Sequence, residues 1–154
     1  MSTHDLLSTD HPLTQSEQRA LRRVAGLMIP ASTPHGVPGA DDAAIFADIL
    51  TTARATAAPI REALARLDAV AGATFADLDA NAQRDACARL RAVEPVLAWT
   101  FVQLIVPCYY RDDRVMGSLG MEARAPFPKG YDVEQGDWSL LDPVRARPKL
   151  YRDV

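Results

Sequence analysis

The residues of this chain that could do chemistry are few, and their spacing argues against an active site. His4, His11 and His35 stand near the N-terminus in stretches that read as loops. His4 and His11 are too far apart to form a zinc pair on one helical turn, and no Glu-x-x-His supplies a di-metal bundle. No metal-ligating set is expected. Cys87 and Cys108 form no Cys-x-x-Cys motif and sit within helical patterns. They are expected to be buried free thiols, although the spacing leaves a disulfide between them open. Asp41-Asp42 and Asp112-Asp113 are adjacent carboxylates. Sequence neighbours do not face each other on a helix, so the pairs suit capping and ion pairing with Arg111 and Arg114 rather than acid–base work. Arg19, Arg22 and Arg23 read as a solvated helix face, or as an anion or partner contact. No glycine-rich phosphate turn and no Gly-x-Ser-x-Gly is present. The expectation is a chain with no catalytic residue and no cofactor-binding residue of its own.

Aromatic residues carry the stronger signal. More than half of them lie between Tyr109 and Val154, where proline, glycine and polar residues interrupt every candidate element. Tyr109, Tyr110, Tyr131 and Trp138 have no alternating or helical pattern through which to bury themselves. Disordered segments are depleted in aromatics, and aromatic and arginine side chains are enriched at interface hot spots. The segment is therefore expected to be an extended arm that lies on a partner. Tyr109, Tyr110, Arg114, Leu119, Pro128, Tyr131 and Trp138 are its expected partner-binding residues.

The elements that must position these groups are helices. Thr14-Gln15-Ser16-Glu17 is a capping box, opening a helix that runs to about Met28 and is stopped by Pro30. The loop 31–40 holds two prolines and two glycines and is expected to be irregular. Asp41-Asp42 caps a second helix over 43–56, which buries Ile45, Phe46, Ile49 and Leu50. Pro59 lies in the first turn of a third, with Ile60, Leu64, Leu67 and Ala71 on one stripe and Gly72 at its end. Asp79 caps a fourth, to about Ala92, with Ala86, Leu90 and Val93 facing inward. Pro95 opens a fifth, to about Val106. It is apolar on nearly all sides, which marks it as the central helix. The predicted fold is all-α: a single domain with a flexible 1–13, a bundle of about five helices over 14–108, and an extended, mostly irregular C-terminal arm over 109–154.

Bulk properties exclude several functions. At 154 residues, net charge −3 and only two lysines, the chain has no basic footprint for nucleic acid or an anionic membrane. The most apolar run, Val96 to Cys108, falls short of the roughly 20 residues that cross a bilayer. The N-terminus has no basic and apolar regions in signal-peptide order and no twin arginine, so the chain is expected in the cytoplasm.

Two stretches resemble a known family. The first is Leu21-Arg22-Arg23-Val24-Ala25-Gly26-Leu27-Met28-Ile29-Pro30-Ala31, followed by Val37-Pro38-Gly39-Ala40 and a helix with Ile45, Phe46 and Ile49. The second is Tyr109-Tyr110, Arg114-Val115, Leu119-Gly120, Pro126, Pro128 and Gly130-Tyr131. In this order they resemble the gluconate 2-dehydrogenase subunit 3 family, the small subunits of FAD-dependent sugar and alcohol dehydrogenases of the glucose-methanol-choline (GMC) type. The resemblance implies a small helical, non-catalytic subunit that binds and stabilises a large flavoprotein acting on a sugar, glycoside or other alcohol. FAD then belongs to the partner. Family members often carry a twin-arginine signal and this chain does not, which implies a cytoplasmic complex, or periplasmic delivery by co-export with a signal-bearing partner. The alternative is a stand-alone helical ligand-binding domain or small enzyme with a pocket between helices.

Overall fold

A computed structural model describes residues 11–124, 129–130 and 134–148, and the chain divides into two compact units, Met1–Ala123 and Arg124–Val154. The fold is all-α. The first unit holds α1 (Gln15–Met28), α2 (Ala43–Ala53), α3 (Ala57–Ala71), α4 (Ala80–Val93), α5 (Pro95–Tyr110) and α6 (Asp113–Ser118). The second holds a 3-10 turn over Trp138–Leu141 leading into the single turn α7 (Asp142–Arg145).

Local chemistry sets most of the helix ends. Thr14 Oγ1 accepts from the Glu17 amide while Glu17 Oε2 accepts from the Thr14 amide, completing the expected capping box. Asp42, Asp79 and Asp112 each accept at least one amide from the first turn of α2, α4 and α6. Gly72 takes φ +71 after α3, where its amide donates to Asp68 O. A side chain there would be strained, so this glycine is the stop signal the sequence suggests.

The core is one cluster. Leu21 and Val24 of α1, Ile45, Phe46 and Ile49 of α2, Ile60, Leu64 and Leu67 of α3, Phe75, Leu90 of α4, and Phe101, Leu104 and Ile105 of α5 meet in it. α5 packs against α2, α3 and α4 and also touches α1 and α6, which makes it the hub. Two buried amides are satisfied locally: Gln18 donates to Leu13 O at 2.8 Å and Gln83 to Phe75 O at 3.1 Å.

Several expectations change. The residues just before α1 are not loose: Leu13 is buried, and His11 Nδ1 accepts from the Leu13 amide while Nε2 meets Leu50 O at 2.8 Å. Nδ1 must be the acceptor, so Nε2 carries the proton, and this histidine is a structural clip. The loop 31–40 is not irregular. Ser32 and Val37 exchange both backbone hydrogen bonds, and the Ala40 amide donates to Ile29 O at 2.8 Å. At Gly39 a Cβ would lie 2.9 Å from the Ala31 amide nitrogen and 3.2 Å from Ile29 O, so only glycine lets the loop close this tightly.

The helical part also does not stop at Cys108. α5 continues through Pro107 to Tyr110, and α6 follows. Pro107 is exposed, and the Gln103 carbonyl it leaves without an amide partner belongs to an exposed residue, so water can satisfy it. α6 ends in a Schellman motif, with Met121 N donating to Met116 O, Gly120 N to Gly117 O, and Gly120 at φ +72. The Leu119-Gly120 pair is thus a helix stop.

Two substitutions check this account by urea denaturation. Thr14→Ala is expected to cost about 1 kcal/mol through the lost cap. Gly39→Ala is expected to cost about 1–3 kcal/mol, because the clash is with backbone that cannot swing aside. A neutral Gly39→Ala would mean that the 31–40 loop is not held closed.

Candidate interaction surface

The seven residues expected to bind a partner separate into groups. Tyr109 is buried, and its hydroxyl donates to Pro38 O at 3.2 Å. It is a core residue that pins the 31–40 loop, and its assignment to a partner surface is corrected. The sequence ends this helix at about Val106, which leaves Tyr109 outside any helical phase; α5 in fact runs to Tyr110 and turns Tyr109 to the same buried side as Cys108 and Ile105. Tyr110 points the other way and is 53% exposed, its ring edge-on to Tyr109 with centroids 5.3 Å apart.

Arg114 is tied within the fold. It bonds Asp42 Oδ1 at 2.7 Å and Asp112 through both carboxylate oxygens at 3.0 and 2.9 Å. Arg111 likewise bonds Asp48 and Thr52. One carboxylate of each pair, Asp42 and Asp112, therefore acts as a cap and as an ion-pair partner of Arg114, whereas Arg111, expected to pair with them, is matched to Asp48. Leu119 and Trp138 are exposed, in the first and second unit respectively. Pro128 and Tyr131 lie outside the described residues.

What the sequence reading missed is a second face on α5. Burial selects Phe101, Leu104, Ile105, Cys108 and Tyr109 on one side. Val96, Trp99, Val106 and Tyr110 fall on the other, spaced i, i+3, i+10 and i+14, which keeps them within one stripe about 21 Å long. Val96 is 81% exposed and Trp99 57% exposed. Val93, at the end of α4, is exposed as well, because the chain turns by 117° between α4 and α5. The expectation that Val93 faces inward and that α5 is buried all round is corrected. The signal was present in the composition of α5, since a helix apolar on every side must bury two opposite faces, and a five-helix bundle covers only one of them here.

The second unit repeats the pattern on a smaller scale. Trp138, Leu140 and Val144 are all exposed along the 3-10 turn and α7, while Asp137 caps the turn by accepting from Ser139. Isolated surface apolar residues are ordinary. On α5, Val96, Trp99 and Tyr110 are exposed on one side, with the polar Gln103 and the half-buried Val106 between them, so the face carries three large exposed apolar side chains rather than one unbroken apolar row.

Reactive chemistry is sparse among the described residues. No group of three or more His, Cys, Asp or Glu is placed to hold a metal ion. Cys87 and Cys108 are free, and burial pushes both thiols above their ordinary range, so neither is poised as a thiolate. Burial likewise raises the Tyr109 phenol.

The Arg114 tie gives a pH test. Its hydrogen bonds are the main cause holding the Asp42 and Asp112 carboxyls below their ordinary range, with backbone amides adding and partial desolvation opposing. Carboxyls lowered in the folded state contribute stability above the unfolded value of about 3.9 and lose it as pH falls through the lower folded values. Arg114 is nearly half exposed, so solvent screening limits Arg114→Gln to about 1 kcal/mol at pH 7. That difference is expected to shrink as pH falls below about 4 in denaturant titrations. A gap independent of pH would assign the effect to packing of the arginine stem.

Comparison with protein-family models, with curated proteins and with solved structures found no match.

Proposed function

We propose that this chain is a non-catalytic small subunit that binds and stabilises a large FAD-dependent oxidoreductase of the GMC type, one acting on a sugar, glycoside or other alcohol. The flavin and the catalytic groups belong to the large subunit. The observation that carries the association is the outer face of α5. Leaving Val96, Trp99 and Tyr110 in water forgoes burial worth about 25 cal/mol per Å² of apolar area, which a protein partner would recover.

The type of partner rests on the resemblance. Its first stretch and the start of its second lie together in the first unit, where Tyr109 reaches Pro38 and Arg114 reaches Asp42. Residues some seventy positions apart are thus parts of one structural unit, which supports reading them together as one pattern. The motif builds the scaffold, and the α5 stripe with Leu119 supplies the contact. The exposed Trp138, Leu140 and Val144 give the second unit apolar anchors of its own, consistent with an arm that lies on the large subunit.

The test is co-expression with a GMC-type flavoprotein encoded beside this chain. A complex carrying flavin absorbance is expected, together with poor solubility or activity of the flavoprotein alone. Trp99→Ala is expected to weaken the complex by about thirtyfold, or about 2 kcal/mol, while far-UV circular dichroism is unchanged. Removing residues 124–154 is expected to leave the first unit helical by circular dichroism and to weaken the complex further. A flavoprotein that is soluble, flavinated and active alone, and that forms no complex, would overturn the reading.

A further inference from the structure

The outer face of α5 is symmetric about its midpoint. Beyond Pro95 at its start, the exposed residues of this helix are Val96, Trp99, Gln103, Pro107 and Tyr110. Two stand four and seven places before Gln103, and two stand four and seven places after it. At about 100° per residue all five point within about 40° of one line, and they reach about 10 Å to either side of Gln103. Turning the helix end for end about Gln103 returns the same set of positions. An isologous interface has this requirement, because one patch must fit itself under a two-fold axis.

The midpoint also has hydrogen-bonding capacity to spare. Pro107 has no amide, so Gln103 O accepts no bond from it across the next turn. The Gln103 side chain is exposed and makes no hydrogen bond among the described residues. Its amide offers two donors and an acceptor. A second α5 lying antiparallel across this point brings its own Gln103 amide to the open carbonyl, and the two-fold makes the bond reciprocal. The same placement sets Trp99 against Pro107 of the second copy and Val96 against its Tyr110. Antiparallel helices also oppose their dipoles.

We propose that the free chain forms a two-fold homodimer in which α5 packs antiparallel on the α5 of a second copy, with the axis at Gln103. Val96, Trp99 and Tyr110 of both copies leave water together. The central glutamine pair fixes the register, as a single polar residue does in a coiled-coil seam. A seam of about four turns is at the small end of specific interfaces, so the dimer is weak and exchanges readily. It occupies the face assigned above to the large subunit. On that reading self-pairing and subunit binding exclude each other, but the dimer itself does not rest on it.

The experiment is sedimentation equilibrium of the purified full chain alone, from about 5 µM to about 500 µM. A reversible monomer–dimer equilibrium with no larger species is expected. Trp99→Ala is expected to weaken it at least about tenfold. Gln103→Glu and Gln103→Lys each place like charges on the axis and are expected to be monomeric where the unaltered chain is dimeric. Mixed in equal amounts, the two variants are expected to form a dimer holding one chain of each kind. Gln103 is exposed, so both are expected to keep the far-UV circular dichroism of the unaltered chain. The equilibrium of the unaltered chain needs no variant, so a misfolded one would not blunt the test. A chain that stays monomeric, or that builds larger open assemblies, would overturn the proposal. So would a Gln103→Glu chain that pairs as tightly as the unaltered one, or a mixture of the folded charge variants that stays monomeric. A chain that dimerises but captures no flavoprotein overturns only the proposed function, and a monomer that captures one overturns only the dimer.

Discussion

The fold turns on the tie between the end of α5 and the loop that joins α1 to α2. Tyr109 crosses from the last turn of α5 to donate to Pro38 O, and a few residues later Arg114 reaches back to the cap of α2. Without that tie the 31–40 loop would be held by backbone hydrogen bonds within itself and to its two flanks, among them the Ser32–Val37 bridge and the Ala40 bond to Ile29 O. With it, the loop becomes a rigid corner and α6 is anchored, its Val115 buried against the core. Gly39 is the other half of the same constraint, since the backbone approaches too closely there for a Cβ. The individual hydrogen bonds are modest, on the order of 1 kcal/mol each. Their effect is larger because they close segments far apart in sequence and so fix the direction in which α5 presents its sides.

Much of this was legible in the residues. Capping chemistry is local, so Thr14 with Glu17, Asp42, Asp79 and Gly72 announce their helix ends directly. The apolar stripes of α1, α2 and α3 follow from their period. The end of α5 was not legible in the same way. Pro107 is an ordinary stop signal, and only the solvent-facing position of the Gln103 carbonyl lets the helix run past it. α6 was hidden for a related reason. Six residues give too few turns for a period, although Asp112 at its start and Gly120 at its end were both readable as caps.

The site was less legible than the fold. Sequence identifies an aromatic residue but not which way a helix turns it, and adjacent Tyr109 and Tyr110 go to opposite fates. Trp99 was read as core because every side of α5 is apolar, and only the number of neighbouring helices decides which side stays uncovered. The arginines show the converse. Arg22 alone is pinned by the backbone of Asp41 and the face of Phe46, while Arg19 and Arg23 of the same cluster are left unengaged.

The 117° turn between α4 and α5 has a consequence for the life of the free chain. By swinging Val93 outward near Val96 and Trp99, it places sticky residues at the junction of two helices, where they cannot be hidden by a side-chain rotation. Exposed apolar surface of this kind favours association, so the bend that shapes the bundle also sets the surface through which the free chain would self-associate, and the proposed partner, by covering it, would remove that tendency.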